Sequence, residues 1–190
     1  MTTVLLLHHA QGLTPGVVAF ADALREAGHT VHTPDVYDGR TFDDLDSGIA
    51  YAGEVGFDAV MQRGVRAAEG LPAKTVYVGL SLGVMAAQQL AQTRPGCAGA
   101  VFVGSCLPVS EFGGWPDGVP VQVHGKDADP IFVDEGDLDA ARVLVASVED
   151  AELFLYPGDE HLFLDSSLPD YDAAATAELT ARVLSFLASP

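Results

Sequence analysis

Six short apolar runs, Val4–Leu7, Thr30–His32, Thr75–Gly79, Ala100–Gly104, Val121–His124 and Ala151–Tyr156, alternate with stretches whose apolar residues recur at helical spacing. This alternation constrains the fold more than any other feature of the 190-residue chain. The runs are almost continuously apolar and β-branched, which suits strands covered on both faces. Strands joined through helices pair in parallel by right-handed crossovers. The expectation is one domain over residues 1–190, a three-layer α/β/α sandwich around a mostly parallel sheet. Ligands of such sheets bind beyond the carboxyl ends of the strands, so chemistry is sought in the residues that follow each run.

The first helix carries its own boundaries: Thr14 as N-cap, Pro15 at the first helical position and Gly28 past the end. Val17, Phe20, Ala21 and Leu24 share one of its faces. A second helix has Phe57, Val60, Met61, Gly64, Val65 and Ala68 on one stripe, and a third is predicted from near Leu82 to about Thr93. A fourth spans roughly Asp137–Ser147, and the last runs from about Asp172 to Leu187 with Leu179, Val183, Leu184 and Leu187 inward.

Charge narrows the partners. Lys and Arg number 9 against 27 Asp and Glu, a formal charge of −18, and a field of that sign repels nucleic-acid phosphates and anionic lipid. No apolar run approaches the roughly 18 residues of a membrane span. Cys97 and Cys106 are isolated, which predicts neither a disulfide scaffold nor a zinc site. Val4–Leu7 has no basic segment before it and reads as a strand rather than a secretion signal, so the expected compartment is the cytoplasm. Composition leaves the oligomeric state open.

The run Thr75–Gly79 leads directly into Gly79-Leu80-Ser81-Leu82-Gly83 and then into a helix. At this chain's glycine and serine content, G-x-S-x-G arises by chance about 0.1 times per chain, and its place between strand and helix adds weight. The alternative is a glycine-rich turn with a capping serine. A tight strand-to-helix turn lifts the serine hydroxyl into the cleft at a helix N-terminus, with the glycines giving the helix room to pass. A serine hydroxyl is a weak nucleophile and needs a base, which in turn needs an orienting acid. His161, in the loop after Ala151–Tyr156, is the candidate base; His124, at the end of its own run, reads as structural. Two carboxylates, Asp127 and Asp129, follow Val121–His124. An oxyanion needs N–H donors: Leu82 directly after the serine, and a second from the loop His8-His9-Ala10-Gln11-Gly12. His8 and His9 point to opposite sides of the strand end, so they line the cleft or pack rather than chelate one metal ion. Trp115, between Gly113-Gly114 and Pro116, is either a rim over the cleft or a turn with a packed indole, and the turn is the simpler reading.

Together these residues resemble the dienelactone hydrolase family of α/β-hydrolases over nearly the whole chain. The resemblance rests on the opening strand and loop to Gly12, on Ala27–Val31 leading to Pro34-Asp35-Val36-Tyr37, and on the serine turn. It continues through Asp129-Pro130 and Tyr156-Pro157-Gly158 to His161-Leu162-Phe163. It implies a compact α/β-hydrolase fold and a hydrolase of a small ester, lactone or thioester, with no metal or organic cofactor. By position in that family, the acid falls on Asp129 and the first oxyanion donor on the Ala10 N–H. Two departures stand out. The best-known members carry a cysteine nucleophile where this chain has Ser81, which suits general ester hydrolysis. Members that bind the dienelactone carboxylate use arginine shortly after the catalytic histidine, whereas Leu162-Phe163-Leu164-Asp165 follows His161; the usual glutamate near the nucleophile is His9. A reading from another class is a non-catalytic binding protein that kept the cleft. A dinucleotide site is disfavoured, because no G-x-G-x-x-G is present.

Overall fold

A computed structural model describes residues 1–188. The elements are β1 (Thr3–Leu7), α1 (Pro15–Glu26), β2 (Thr30–His32), α2 (Leu45–Val55), α3 (Phe57–Arg66), β3 (Thr75–Leu80), α4 (Val84–Thr93), β4 (Gly99–Val103), β5 (Val121–Lys126), α5 (Pro130–Asp134), α6 (Asp137–Ser147), β6 (Ala151–Tyr156) and α7 (Ala173–Ala188). The six strands form one sheet in the order β2-β1-β3-β4-β5-β6, and every neighbouring pair is parallel.

Period-2 alternation divides the strand side chains between two cores. Leu5, Leu7, Tyr77, Phe102 and Val123 pack under α2–α6, while Val4, Leu6, Val78 and Val101 pack under α1 and α7. This is a three-layer α/β/α sandwich. The chain winds outward in opposite senses from β1 and β3, so the loops after these two adjacent strands diverge and open a crevice. Those loops carry Ala10 and Ser81. Among the described residues no helix is long and apolar enough to cross a membrane.

All six apolar runs are strands; β2 and β6 have the expected ends, and the other four are shifted by one or two residues. Gly104 lies outside β4 at φ +72°, and β5 continues through Gly125 and Lys126, which pair with Leu155 and Tyr156. The apolar run stops at His124, but parallel pairing with β6 satisfies the backbone of Gly125 and Lys126 whatever the side chain. Two helices go beyond the sequence expectation. α2 has a mixed apolar pattern yet is capped by the Asp44 carboxylate, which accepts the Ser47 N–H. α5 is a single turn capped by Asp129. The helix predicted from near Leu82 opens as a 3-10 turn over Ser81–Gly83 before α4 begins.

Candidate active site

The turn after β3 shows why its residues have this spacing. Ser81 has φ +48°, a left-handed conformation that side-chain-bearing residues rarely adopt. A Cβ on Gly79 would lie 2.6 Å from Val84 Cα, and one on Gly83 would lie 2.3 Å from the Leu7 carbonyl oxygen. Both glycines are therefore steric requirements, one where the helix turns back over its strand and one where it passes β1. Leu82 sits in the first turn, where a helical N–H has no intrahelical acceptor.

Ser81 Oγ lies 2.8 Å from His161 Nε2, and His161 Nδ1 lies 2.6 Å from Asp129 Oδ2. Asp129 is 1% exposed and His161 7%. The other oxygen of Asp129 accepts the Ile131 N–H at 3.0 Å, so the carboxylate is fixed at the N-terminus of α5. Asp127 does not reach the imidazole; its Oδ1 accepts the Gly158 N–H at 3.1 Å. With the Asp127 N–H on Tyr156 O and the Ala128 N–H on Gly158 O, that bond ties the Asp129 loop to the His161 loop. Gly104 packs against the imidazole, where a Cβ would stand 3.3 Å from His161 Cε1.

The loop after β1 folds back on itself. The Gly12 N–H donates to the His9 carbonyl at 3.0 Å and the Gln11 N–H to His9 Nδ1 at 3.2 Å. No acceptor among the described residues takes the N–H of Ala10, which is buried. From the other side, the loop is zipped to 41–42: the Phe42 N–H meets Gln11 O, and the Gln11 side-chain amide donates to Phe42 O. The two histidines diverge. His8 lies under the β2 loop, where its Nδ1–H donates to His9 O and its Nε2 accepts the Val36 N–H; burial pushes its pKa down to about 4. His9 Nε2 lies 2.8 Å from Asp165 Oδ2.

Asp165 is the residue whose importance the sequence conceals. It is 1% exposed and accepts from His9, from Thr14 Oγ1, and from the Ser167 N–H and Oγ. Burial alone would raise its pKa, but these donors outweigh it and hold the carboxyl at about 2. A Cβ on Gly16 would fall 1.7 Å from its Oδ1, so only glycine fits that position of α1.

Lys126 is a second such residue. Its ammonium is buried, donates to Pro157 O at 2.8 Å and Asp172 Oδ2 at 2.5 Å, and lies 3.2 Å from Glu160 Oε2. A buried lysine persists only when paired, and here all three partners flank the segment that carries His161. His124 is fully buried between the Tyr156 hydroxyl and Gln122, and burial pushes it down to about 3. Trp115 packs beside the turn at Asp117-Gly118, with its indole N–H on Val119 O at 2.8 Å and its ring edge-on to Phe102. Burial pushes the Cys97 thiol up to about 11 and Cys106 up to about 12, so neither is a thiolate nucleophile at neutral pH.

His9, Leu80, Ser81, Val103, His161, Leu162, Leu164 and Asp165 enclose a cavity of about 10 Å³, about the room one water occupies. A far larger groove, about 1190 Å³, lies at the opposite end of the sheet along the amino ends of the strands. Size alone would favour it, but it is remote from the strained serine, and ligands of parallel sheets bind at the carboxyl ends.

The six-stranded parallel sheet with a serine on a strained strand-to-helix turn defines an α/β-hydrolase. The chain matches the dienelactone hydrolase family over residues 1–189 and belongs to that family of hydrolases. Among solved structures it is similar to a dienelactone hydrolase-like promiscuous phosphotriesterase from metagenomic libraries, with 22% identity over 98% of this chain and 87% of that one and a TM-score of 0.72. It is also similar to mouse alpha/beta hydrolase domain-containing protein 10, at 15% identity over 96% and 87% of the two chains, TM-score 0.68. A cold-adapted esterase from an Arctic intertidal metagenomic library shares 16% identity over 98% and 82%, TM-score 0.59. At these identities the likeness is one of fold. No curated sequence matches the chain significantly.

Proposed function

We propose that this chain is a serine hydrolase cleaving a small ester, lactone or thioester through an acyl-enzyme on Ser81. The observation that carries the reading is the hydrogen-bonded chain from Ser81 Oγ through His161 to Asp129, at 2.8 and 2.6 Å. Ser81 Oγ attacks the substrate carbonyl while His161 Nε2 takes its proton. Asp129 accepts the Nδ1–H, fixing the tautomer and stabilising the imidazolium. The tetrahedral oxyanion takes the N–H groups of Ala10 and Leu82, both short of protein acceptors. His161 then gives its proton to the leaving alcohol or thiol. Water, deprotonated by the same nitrogen, hydrolyses the acyl-enzyme to release the acid and restore Ser81. The acyl, proton and water balance close without a metal or organic cofactor.

The aliphatic side chains of Leu80, Val103, Leu162 and Leu164 beside Ser81 and His161 favour an uncharged acyl group. Asp165 beside it, ionised at neutral pH, disfavours a substrate carboxylate. The esterase among the fold relatives is consistent with this chemistry.

A fluorophosphonate probe tests the reading. Labelling at Ser81 that is lost in Ser81→Ala, with turnover of p-nitrophenyl acetate, is the expected result. A folded protein that neither labels nor turns over the ester would instead be a binding protein on a hydrolase fold.

A further inference from the structure

Beside Ser81 lies a second imidazole–carboxylate pair that the proposed mechanism does not use. His9 Nε2 and Asp165 Oδ2 are 2.8 Å apart, both residues are buried, and both border the same small cavity as Ser81 and His161. Burying an ionised carboxylate is costly unless its oxygens are satisfied, and here its donors come from three places: the loop after β1, the cap of α1, and the turn at Ser167. The ring's other nitrogen, Nδ1, faces the Gln11 N–H at 3.2 Å.

That contact fixes the proton. A backbone N–H can only donate, so Nδ1 must be the bare nitrogen and Nε2 must carry the hydrogen that Asp165 accepts. The Gln11 N–H is thereby held on a side chain two residues back, the geometry of an Asx turn made by a histidine. With the Gly12 N–H held on His9 O, the loop is turned so that, of its three N–H groups from Ala10 to Gly12, that of Ala10 alone lacks a protein acceptor.

We propose that Asp165 and His9 are positioning residues for the oxyanion loop: Asp165 sets the tautomer of His9, and His9 in turn fixes the backbone that presents the Ala10 N–H. This inference rests on the hydrolase reading above. It also links two parts of the site, because Asp165 lies on the segment that follows His161 while His9 opens the oxyanion loop.

Asp165→Asn is the decisive variant because it keeps shape and removes one acceptor. The Ser167 N–H demands an oxygen at the Oδ1 position, which leaves the Asn amide nitrogen facing His9. Nε2 must then accept, Nδ1 must carry the proton, and it meets the Gln11 N–H donor to donor. Asparagine at position 9 avoids this conflict, since its side-chain oxygen makes the same turn with Gln11 and needs no tautomer.

The test combines ¹⁵N NMR of the His9 ring with steady-state hydrolysis of p-nitrophenyl acetate by the whole chain. The expected wild-type tautomer is Nε2–H, switching to Nδ1–H in Asp165→Asn. In that variant kcat should fall about 10²-fold, the scale of one lost oxyanion donor, with KM little changed. The double variant His9→Asn/Asp165→Asn should recover at least about tenfold of that loss. A double variant no better than Asp165→Asn, or an unchanged His9 tautomer, would overturn the positioning role. If Asp165→Asn does not fold, His9→Asn against His9→Leu decides: equal kcat overturns the proposal, and a clear advantage for Asn supports it. A wild type inactive on every ester overturns the hydrolase reading itself, whereas an active wild type indifferent to Asp165→Asn overturns only this inference.

Discussion

Two histidine–aspartate pairs stand within one small site, and each is buried. In the first, His161 meets Asp129 through Nδ1 and turns Nε2 toward the Ser81 hydroxyl. In the second, His9 meets Asp165 through Nε2 and turns Nδ1 toward the Gln11 N–H. The same two residue types are joined by the same hydrogen bond, and the difference lies at the far nitrogen. A hydroxyl can give up its proton, so the first imidazole can cycle between neutral and charged forms during a reaction. A peptide N–H cannot, so the second is held in one tautomer. The environment of the unpaired nitrogen, rather than the His–Asp contact, distinguishes a candidate proton carrier from a fixed support.

The largest expected effect tests the first pair. Asp129→Asn should lower kcat about 10⁴-fold by favouring the wrong tautomer of His161, while Asp127→Asn, whose carboxylate holds only the Gly158 N–H, should cost about tenfold or less. Equal losses measured in the two variants would remove Asp129 from its proposed role.

Next in size is Gly16→Ala, which displaces Asp165 without changing its chemistry. The added methyl would fall 1.7 Å from Asp165 Oδ1. It should reproduce the roughly 10²-fold loss in kcat expected for a disturbed oxyanion loop and lower urea-unfolding stability by about 1–3 kcal/mol through overpacking. Full activity in a folded Gly16→Ala would separate Asp165 from the loop.

A smaller loss is expected from Lys126→Met, which frees the His161 segment from Pro157 O and Asp172. A drop in kcat of about tenfold, largely restored in Lys126→Arg, would mark the ammonium as a brace for the first pair. Loss of stability with kcat intact would make it purely structural.

The last expected effect is on acid stability rather than on rate, and it concerns two histidines whose burial outweighs every group near them. His8 and His124 are held at about 4 and about 3 in the fold, against an ordinary value of 6.5. As pH falls below 6.5 the unfolded chain takes up these protons first, so stability declines from pH 6.5 toward pH 4. Urea unfolding across pH 7 to 4.5 should show that slope, and His124→Gln should reduce it. An unchanged slope in the variant would mean that His124 does not control acid stability.

Much of this is legible in the sequence for local reasons. Strand and helix succession follows from apolar spacing, and the cap at Thr14 acts over three residues. Gly79 and Gly83 reveal the serine turn because close backbone passage forbids a side chain there. Asp165 stays hidden because its partners, His9 and Thr14, lie more than 150 residues away along the chain, and an aspartate in a loop ordinarily reads as solvated. Lys126 is hidden for the opposite reason: a lysine after an apolar run resembles a strand end, until Glu160 and Asp172 close over it.

Local sequence accounts for the alternation that makes a parallel sheet, the strained turn that carries Ser81, and the placing of Ser81, Asp129 and His161 each just after a strand. Periodicity, capping and steric exclusion are short-range effects, and one chain segment contains all their terms. Long-range packing was needed to bring Asp129 rather than Asp127 to His161, to face His9 with Asp165, and to choose which nitrogen of each ring is left for other work. Those outcomes depend on which carboxylate the crossing strands bring within hydrogen-bond reach, and on donors and acceptors supplied by distant segments whose approach no local pattern encodes.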